Sequence, residues 1–191
     1  MSPYDKELDS IYLKPGEFHF GENPAVVSTI LGSCVSVTMF HPGSGTGAIC
    51  HGLLPRCGGN NPCNGTCLEG FKYVDCSIKR MIKKFDALGI NRVDIQVKIF
   101  GGSDMFGARS TDVRSKTIGM ENVMVAKTVI EKAGLRVTAF DTRGNQGRKI
   151  LFFPHTGEVL LKRLRVAAAL DPGQCNSVLD RNGQSSKVRT K

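Results

Sequence analysis

Apolar and polar positions alternate with period two from residue 35 to residue 40. Val35, Val37 and Met39 stand against Ser36 and Thr38, which predicts a strand with two distinct faces. A cleaner alternation covers 93–100 and predicts a half-buried strand ending at Gly101-Gly102-Ser103-Asp104. Shorter apolar runs at 26–30, 48–54, 135–140, 149–153 and 159–164 complete the expected strands. Between 73 and 88 the period lengthens to that of a helix. Ile78, Met81, Ile82, Phe85 and Leu88 share one face, Lys79, Arg80, Lys83 and Lys84 the other, and Gly89 supplies the stop. A second helix is predicted over 120–133, closed by Gly134.

The connections are legible from their turn residues. Residues 1–15 read as a lead-in, with Lys14-Pro15-Gly16-Glu17 as a turn. The segment His41-Pro42-Gly43-Ser44-Gly45-Thr46-Gly47 predicts a hairpin joining 35–40 to 48–54. Pro154-His155-Thr156-Gly157 predicts a terminal hairpin, and 55–70 a loop rich in Gly, Asn and Cys. The fold class is α+β: a single-domain layered fold of mixed, hairpin-rich β-sheet packed with about two to three helices. It is expected to occupy 1–170, followed by a polar, disordered tail over 171–191.

Composition narrows the function classes. The 191 residues are 40% apolar and 23% charged, ordinary for a globular protein with a real core. No apolar run is long enough to cross a bilayer, and the first residues have neither the basic nor the apolar region of a secretory signal. A cytoplasmic location without membrane insertion is the expectation. Seven cysteines are then better read as thiols than as a disulfide framework. The net charge of +9 favours an acidic partner. Trp is absent and no aromatics interleave the basic clusters at 79–84, 109–116 and 162–165, so a nucleic-acid stacking platform is not expected.

The candidate chemistry lies in Thr29-Ile30-Leu31-Gly32-Ser33-Cys34-Val35. Small residues before Cys34 present its thiol at a tight turn between two strands, where backbone N–H groups can approach a bound carbonyl. Gly32 and Ser33 would thus line an oxyanion or substrate cleft. His51, on the next strand, is the natural base. Ile49, His51 and Leu53 share a face from which Cys50 is turned away, so Cys50 is a core residue and a poor rival. His41 and His155 sit in turns. A hydroxyl entering the Cys34 turn would orient the imidazole, and both Ser28 and Thr29 are candidates. They point to opposite faces of one strand, so only one can serve. Ser28 otherwise belongs with the cleft residues.

Two other patterns carry less. Cys57, Cys63, Cys67 and Cys76 follow C-x5-C-x3-C-x8-C and lack the close pairs of a structural zinc site, so no metal and no cofactor are expected. Gly101-Gly102-Ser103 lacks the Lys and Ser/Thr ending of a phosphate loop, and Arg143-Gly144-Asn145-Gln146-Gly147-Arg148 is most simply a turn; nucleotide binding is excluded on that ground.

Taken together, the segments 31–35, 47–55 with His51, 98–102, Met105-Phe106, Ile118-Gly119 with Asn122-Val123, and 147–150 resemble the CheD family of chemoreceptor glutamine deamidases. The resemblance covers residues 10 to 165 in the expected order. It implies a Cys–His pair at Cys34 and His51, with the family's triad threonine on the strand entering the turn. The pattern Thr-x-Leu-Gly-Ser-Cys favours Thr29, whereas counting back from the cysteine gives Ser28. The implied activity is cysteine-dependent hydrolysis of glutamine side-chain amides to glutamate on the cytoplasmic helices of chemotaxis receptors. Methyl-ester hydrolysis is chemically adjacent. The resemblance also implies an alternative, non-catalytic role: docking on a CheC-type phosphatase as a regulator. The loop 56–70 and the chain after 170 depart from the family pattern.

Overall fold

Each strand and helix read from the periodicity has its counterpart in the computed structural model, which describes residues 8–57, 70–104 and 117–164. The elements run β1 (Asp9–Tyr12), β2 (Phe18–Gly21), β3 (Ala25–Leu31), β4 (Val35–His41), β5 (Thr46–Cys50), α1 (Val74–Ala87), β6 (Gln96–Gly101), α2 (Ile118–Lys132), β7 (Val137–Thr142), β8 (Arg148–Phe152) and β9 (Val159–Arg163). The strands form a four-stranded sheet, β1-β3-β8-β9, and a five-stranded sheet, β2-β5-β4-β6-β7. β1 pairs with β3 and β6 with β7 in parallel, and the remaining ladders are antiparallel. The expected tail at 171–191 and the boundary at 170 lie outside the described residues.

Two apolar cores arrange these sheets in layers. On one face of the five-stranded sheet, Val35, Val37, Met39, Ala48 and Cys50 pack with Ile78, Met81 and Phe85 of α1 and with Val123, Ala126 and Ile130 of α2. On its other face, Ile49 and Phe100 pack with Val27, Leu31, Ile150 and Phe152 of the four-stranded sheet. The five-stranded sheet is therefore the middle layer. This explains a departure from the expected alternation in β4, where Ser36 and Thr38 are buried like Val35 and Val37. A central strand covered on both faces has no solvent side for its polar positions.

The helix stops are built as the glycines predict. Gly89 and Gly134 take left-handed φ values of 69° and 73°. Each helix closes with paired bonds, Ile90 N–H to Phe85 O and Gly89 N–H to Asp86 O in α1, Leu135 N–H to Ile130 O and Gly134 N–H to Glu131 O in α2. Leu88 is the C-cap of α1 and is 57% exposed, so it leaves the buried face assigned to it. The basic face of α1 is partly occupied too. Arg80 lies over Phe71, and Lys84 over Phe18 and Phe20, where cation and ring attract.

Three boundaries differ from the sequence expectation. The run from residue 93 begins as a single tight turn, Arg92–Asp94, because the Asn91 side chain caps it and Arg92 is tied to Asp86 at 2.7 Å. Val93 is left 77% exposed. The regular β5 ladder ends at Cys50, after which Gly52 and Leu54 make single bridges to Val35 and Tyr73. The lead-in also contains strand. β1 adds to the edge of β3, and β2 follows the turn at 14–17. Four-residue edge strands with mixed faces carry too little periodicity to register in a pattern search.

One close approach governs the geometry around the ends of β4 and β6. Gly119, in the first turn of α2, lies so near the Gly102–Ser103 backbone that a Cβ there would sit 2.8 Å from the Gly102 carbonyl carbon and 2.8 Å from the Ser103 oxygen. Backbone atoms cannot move aside as a flexible side chain can. Gly119→Ala is therefore expected to destabilise the fold by about 1–3 kcal/mol, although Ala is the better helix former by about 1 kcal/mol. The urea midpoint checks this, and an unchanged or raised midpoint would mean that α2 does not approach so closely.

Candidate active site

Cys34 sits where the chain crosses from one sheet to the other. β3 ends at Leu31 in the four-stranded sheet and β4 begins at Val35 in the five-stranded one, leaving Gly32-Ser33-Cys34 as the crossing turn. All three carbonyls of that turn are held from inside the protein. The Ser103 N–H donates to Gly32 O at 2.8 Å and the Gly102 N–H to Cys34 O at 2.7 Å. The Asn122 amide donates to Ser33 O at 3.0 Å. Among the described residues, neither the Ser33 nor the Cys34 N–H donates to another residue.

Register brings His51 beside this turn. Val35 and Gly52 exchange both backbone hydrogen bonds at 2.9 Å, so Ser36 stands directly across from His51, with Cys34 as the diagonal neighbour on the same face. That face looks into the gap between the sheets, where Ile49 is buried and Cys34 packs against the apolar cluster. Cys50 faces the helices instead, fully buried, and burial pushes its thiol up to about 12.

The His51 ring, 2% exposed, meets the opposite sheet through one hydrogen bond. Its Nδ1 lies 2.8 Å from Thr29 Oγ1, and Thr29 Oγ1 donates to Leu13 O at 2.8 Å. A threonine hydroxyl has a single proton. With that proton on the Leu13 carbonyl, the oxygen accepts from His51 Nδ1–H, and this assigns the Nδ1-protonated tautomer. Nε2 is then unprotonated, and it is buried with no hydrogen-bond partner among the described residues. The backbone of His51 is fixed as firmly, through His51 N–H to Glu17 O at 3.0 Å and Gly16 N–H to His51 O at 2.8 Å.

Of the two hydroxyls considered for orienting the imidazole, only Thr29 faces it. Val27, Thr29 and Leu31 form the buried side of β3. Ser28 is on the other side and donates to Ile11 O at 3.4 Å, away from the gap. Burial pushes the Cys34 thiol up, against the pull of its own backbone N–H. Burial lowers the His51 imidazole, against the Leu13 carbonyl and the Glu17 charge. Both shifts favour the neutral pair, thiol and imidazole, over thiolate and imidazolium.

Several important contributors escaped the sequence reading. The lead-in holds His51 through Leu13, Gly16 and Glu17. Gly101-Gly102-Ser103, which resembles a phosphate loop only superficially, instead grips the turn before β4. Gly101 adopts φ 104° and a Cβ there would fall 2.2 Å from Cys34 O. Ser103 is anchored in turn by Arg148, which is 3% exposed and donates to Ser103 Oγ and Asp141 Oδ1, both at 2.6 Å. Against a burial that pushes it up, Arg163 and Arg148 hold the Asp141 carboxyl below its usual value. Strand-end glycines and a lone arginine are too common in sequence to signal such roles.

The remaining candidates fall elsewhere. His41 pairs with Ser44 at 2.8 Å in the β4–β5 turn, and His155 lies in the terminal hairpin. The N–H groups of Cys57 and Cys76 both reach Asp75 Oδ1, at 3.3 and 2.8 Å; Cys63 and Cys67 lie outside the described residues. Among the described residues no three His, Cys, Asp or Glu side chains are placed to share a metal ion. No described helix is long and apolar enough to cross a membrane.

A layered α+β fold with a thiol at a sheet-crossing turn and an oriented imidazole beside it contains the two groups that cysteine-dependent hydrolysis requires. Comparison with known proteins is more specific. Residues 53–163 match the family model described as CheD chemotactic sensory transduction. The chain is 50% identical over 164 residues to a probable chemoreceptor glutamine deamidase CheD 2 of Geobacter sulfurreducens, covering 86% of this chain and 96% of that protein. It is 35% identical to a probable chemoreceptor glutamine deamidase CheD of Maridesulfovibrio salexigens, over 86% and 97%, and 34% identical to one of Pyrococcus horikoshii, over 78% and 89%. This chain belongs to the CheD family. A crystal structure of the Bacillus licheniformis hypothetical protein YfiH aligns at a TM-score of 0.45 and 14% identity, over 67% of this chain and 51% of that one.

Two outcomes follow from the geometry. Thr29→Val keeps the shape but removes the acceptor for Nδ1–H, and is expected to lower kcat of the hydrolase by up to roughly 10². Wild-type kcat in that variant would show that the ring needs no such partner. The rate–pH profile should be broad. Its acid limb should lie below 6.5, because the His51 imidazole is lowered from that value, and its alkaline limb above 9.0, because the Cys34 thiol is raised from it. Thiolate absorbance present at neutral pH and lost in Cys34→Ala would instead indicate an ion pair.

Proposed function

We propose that this protein is a cysteine-dependent amidohydrolase that converts glutamine side chains of chemotaxis receptors to glutamate. The observation that carries the mechanism is the chain Leu13 O, Thr29 Oγ1, His51 Nδ1, which leaves Nε2 of a buried imidazole unprotonated beside the Cys34 turn. The family membership and the names of its relatives support the substrate class.

His51 Nε2 takes the proton from Cys34 Sγ, and the thiolate attacks the carboxamide carbon of the glutamine. Charge moves onto the former carbonyl oxygen, where the Ser33 and Cys34 N–H groups receive it; their partner carbonyls are already engaged, so the turn need not reorganise. Collapse breaks the C–N bond, and His51 returns its proton to the departing ammonia. Water deprotonated by His51 then attacks the thioester. This releases glutamate and restores the Cys34 thiol. Thr29 keeps the ring in one tautomer throughout and accepts from the imidazolium when it forms. Gly32 has no side chain to block the approach of a substrate carbonyl. The net charge of +9 would draw this surface toward receptor helices rich in glutamate.

The decisive experiment is mass spectrometry of a Gln-containing receptor cytoplasmic fragment after incubation with wild type and with Cys34→Ala. Conversion of specific glutamines to glutamate is expected with wild type alone. Equal conversion by the variant would remove Cys34 from the chemistry, and no conversion by either protein would overturn the assignment.

A further inference from the structure

Asn122 is fully buried in α2, a helix that otherwise meets the sheet with apolar side chains. A short polar amide is a poor choice for a helix interior on propensity alone. Its two N–H bonds go to two different segments. Nδ2 donates to Ser33 O at 3.0 Å and to Leu53 O at 2.9 Å. Ser33 immediately precedes Cys34, and Leu53 follows His51 by two residues. One planar amide thus spans the turn that carries the thiol and the strand that carries the imidazole.

The orientation of that amide is not arbitrary. Two carbonyl oxygens face the same end of the side chain, so only the NH2 group can be there. The consequence is that Asn122 Oδ1 is buried with no hydrogen-bond partner among the described residues. That acceptor lowers the net gain of burying the amide, whereas both of its donors are bonded. The amide is retained for what its donors hold.

Neighbouring residues bring it into reach. Gly119, one turn earlier, permits the contact of α2 with Gly102 and Ser103, whose N–H groups hold the carbonyls on either side of Ser33. Thr117 caps the same helix end, accepting from the Met120 N–H at 3.3 Å.

We propose that Asn122 is a positioning residue of the hydrolase, setting the approach of Cys34 Sγ to His51 Nε2 by tying the Ser33 and Leu53 carbonyls to one amide. It touches neither substrate nor reacting atoms, and acts through the two backbone segments. The inference rests on the Cys34–His51 reading above.

The test compares Asn122→Ala and the nearly isosteric Asn122→Asp with wild type, Cys34→Ala and His51→Ala. Deamidation of the receptor fragment gives kcat and KM. The pH dependence of iodoacetamide alkylation, read at the Cys34 peptide by mass spectrometry, reports the coupling of thiol to imidazole. Asp places a carboxylate where two carbonyls require a donor while keeping the packing. Both variants should lose roughly 10² in kcat with little change in KM, the scale expected for a misplacement of about 1 Å. Their alkylation profiles should take the form of His51→Ala. Wild-type kcat and profile in the folded variants would overturn the proposal, as would failure of both variants to fold, which would make Asn122 a stability element. If instead Cys34→Ala and His51→Ala retain full activity, it is the underlying Cys–His reading that fails.

Discussion

The proton of one hydroxyl decides how this site is arranged. Thr29 Oγ1 gives its proton to Leu13 O and so presents only lone pairs to His51. That single direction of donation assigns the imidazole tautomer and leaves Nε2 unprotonated. It also joins the two sheets, since Thr29 belongs to the four-stranded sheet and His51 extends the five-stranded one. A hydrogen bond between layers keeps its geometry only if both layers are fixed. The apolar gap filled by Val27, Leu31, Ile49, Phe100, Ile150 and Phe152 supplies that rigidity.

The turn bearing Cys34 follows a complementary logic. Gly32, Ser33 and Cys34 have their carbonyls bound by Ser103, Asn122 and Gly102 respectively. With the acceptor side of three successive peptides committed, the Ser33 and Cys34 N–H groups donate to no other described residue, and the proposed mechanism gives them the oxyanion. A site arranged in this way needs little reorganisation during reaction. The neutral state of the Cys34–His51 pair belongs to the same design. Burial raises the thiol and lowers the imidazole, so both groups are favoured in their neutral forms.

Much of this was visible in the order of residues. The alternation in 35–40 and the helical spacing of Ile78, Met81, Ile82 and Phe85 predicted their elements, because side-chain periodicity follows directly from backbone geometry. Gly89 and Gly134 marked helix ends through the left-handed conformation that glycine adopts without strain. The local grammar around Cys34, small residues between two strands, singled out the turn at which the chain crosses between sheets, and the hairpin signal at 41–47 placed His51 on the adjoining segment. The weak spots were β1 and β2, too short for a period to emerge, and the polar positions of β4. Ser36 and Thr38 look solvent-facing by alternation and are buried because a second sheet covers them.

What the sequence by itself determined is local: which runs become strands and helices, where they stop, and which residues have the chemistry for nucleophile and base. Contacts between distant segments were decided by the tertiary structure alone. Strand alternation alone left Ser28 and Thr29 both open and the family pattern favoured Thr29; the packing of β3 against the other sheet is what turns Thr29 toward His51. The same holds for Gly102, Asn122 and Arg148. Their roles depend on approaches between elements tens of residues apart, and no spacing in the chain encodes a hydrogen bond that exists only once the layers are stacked.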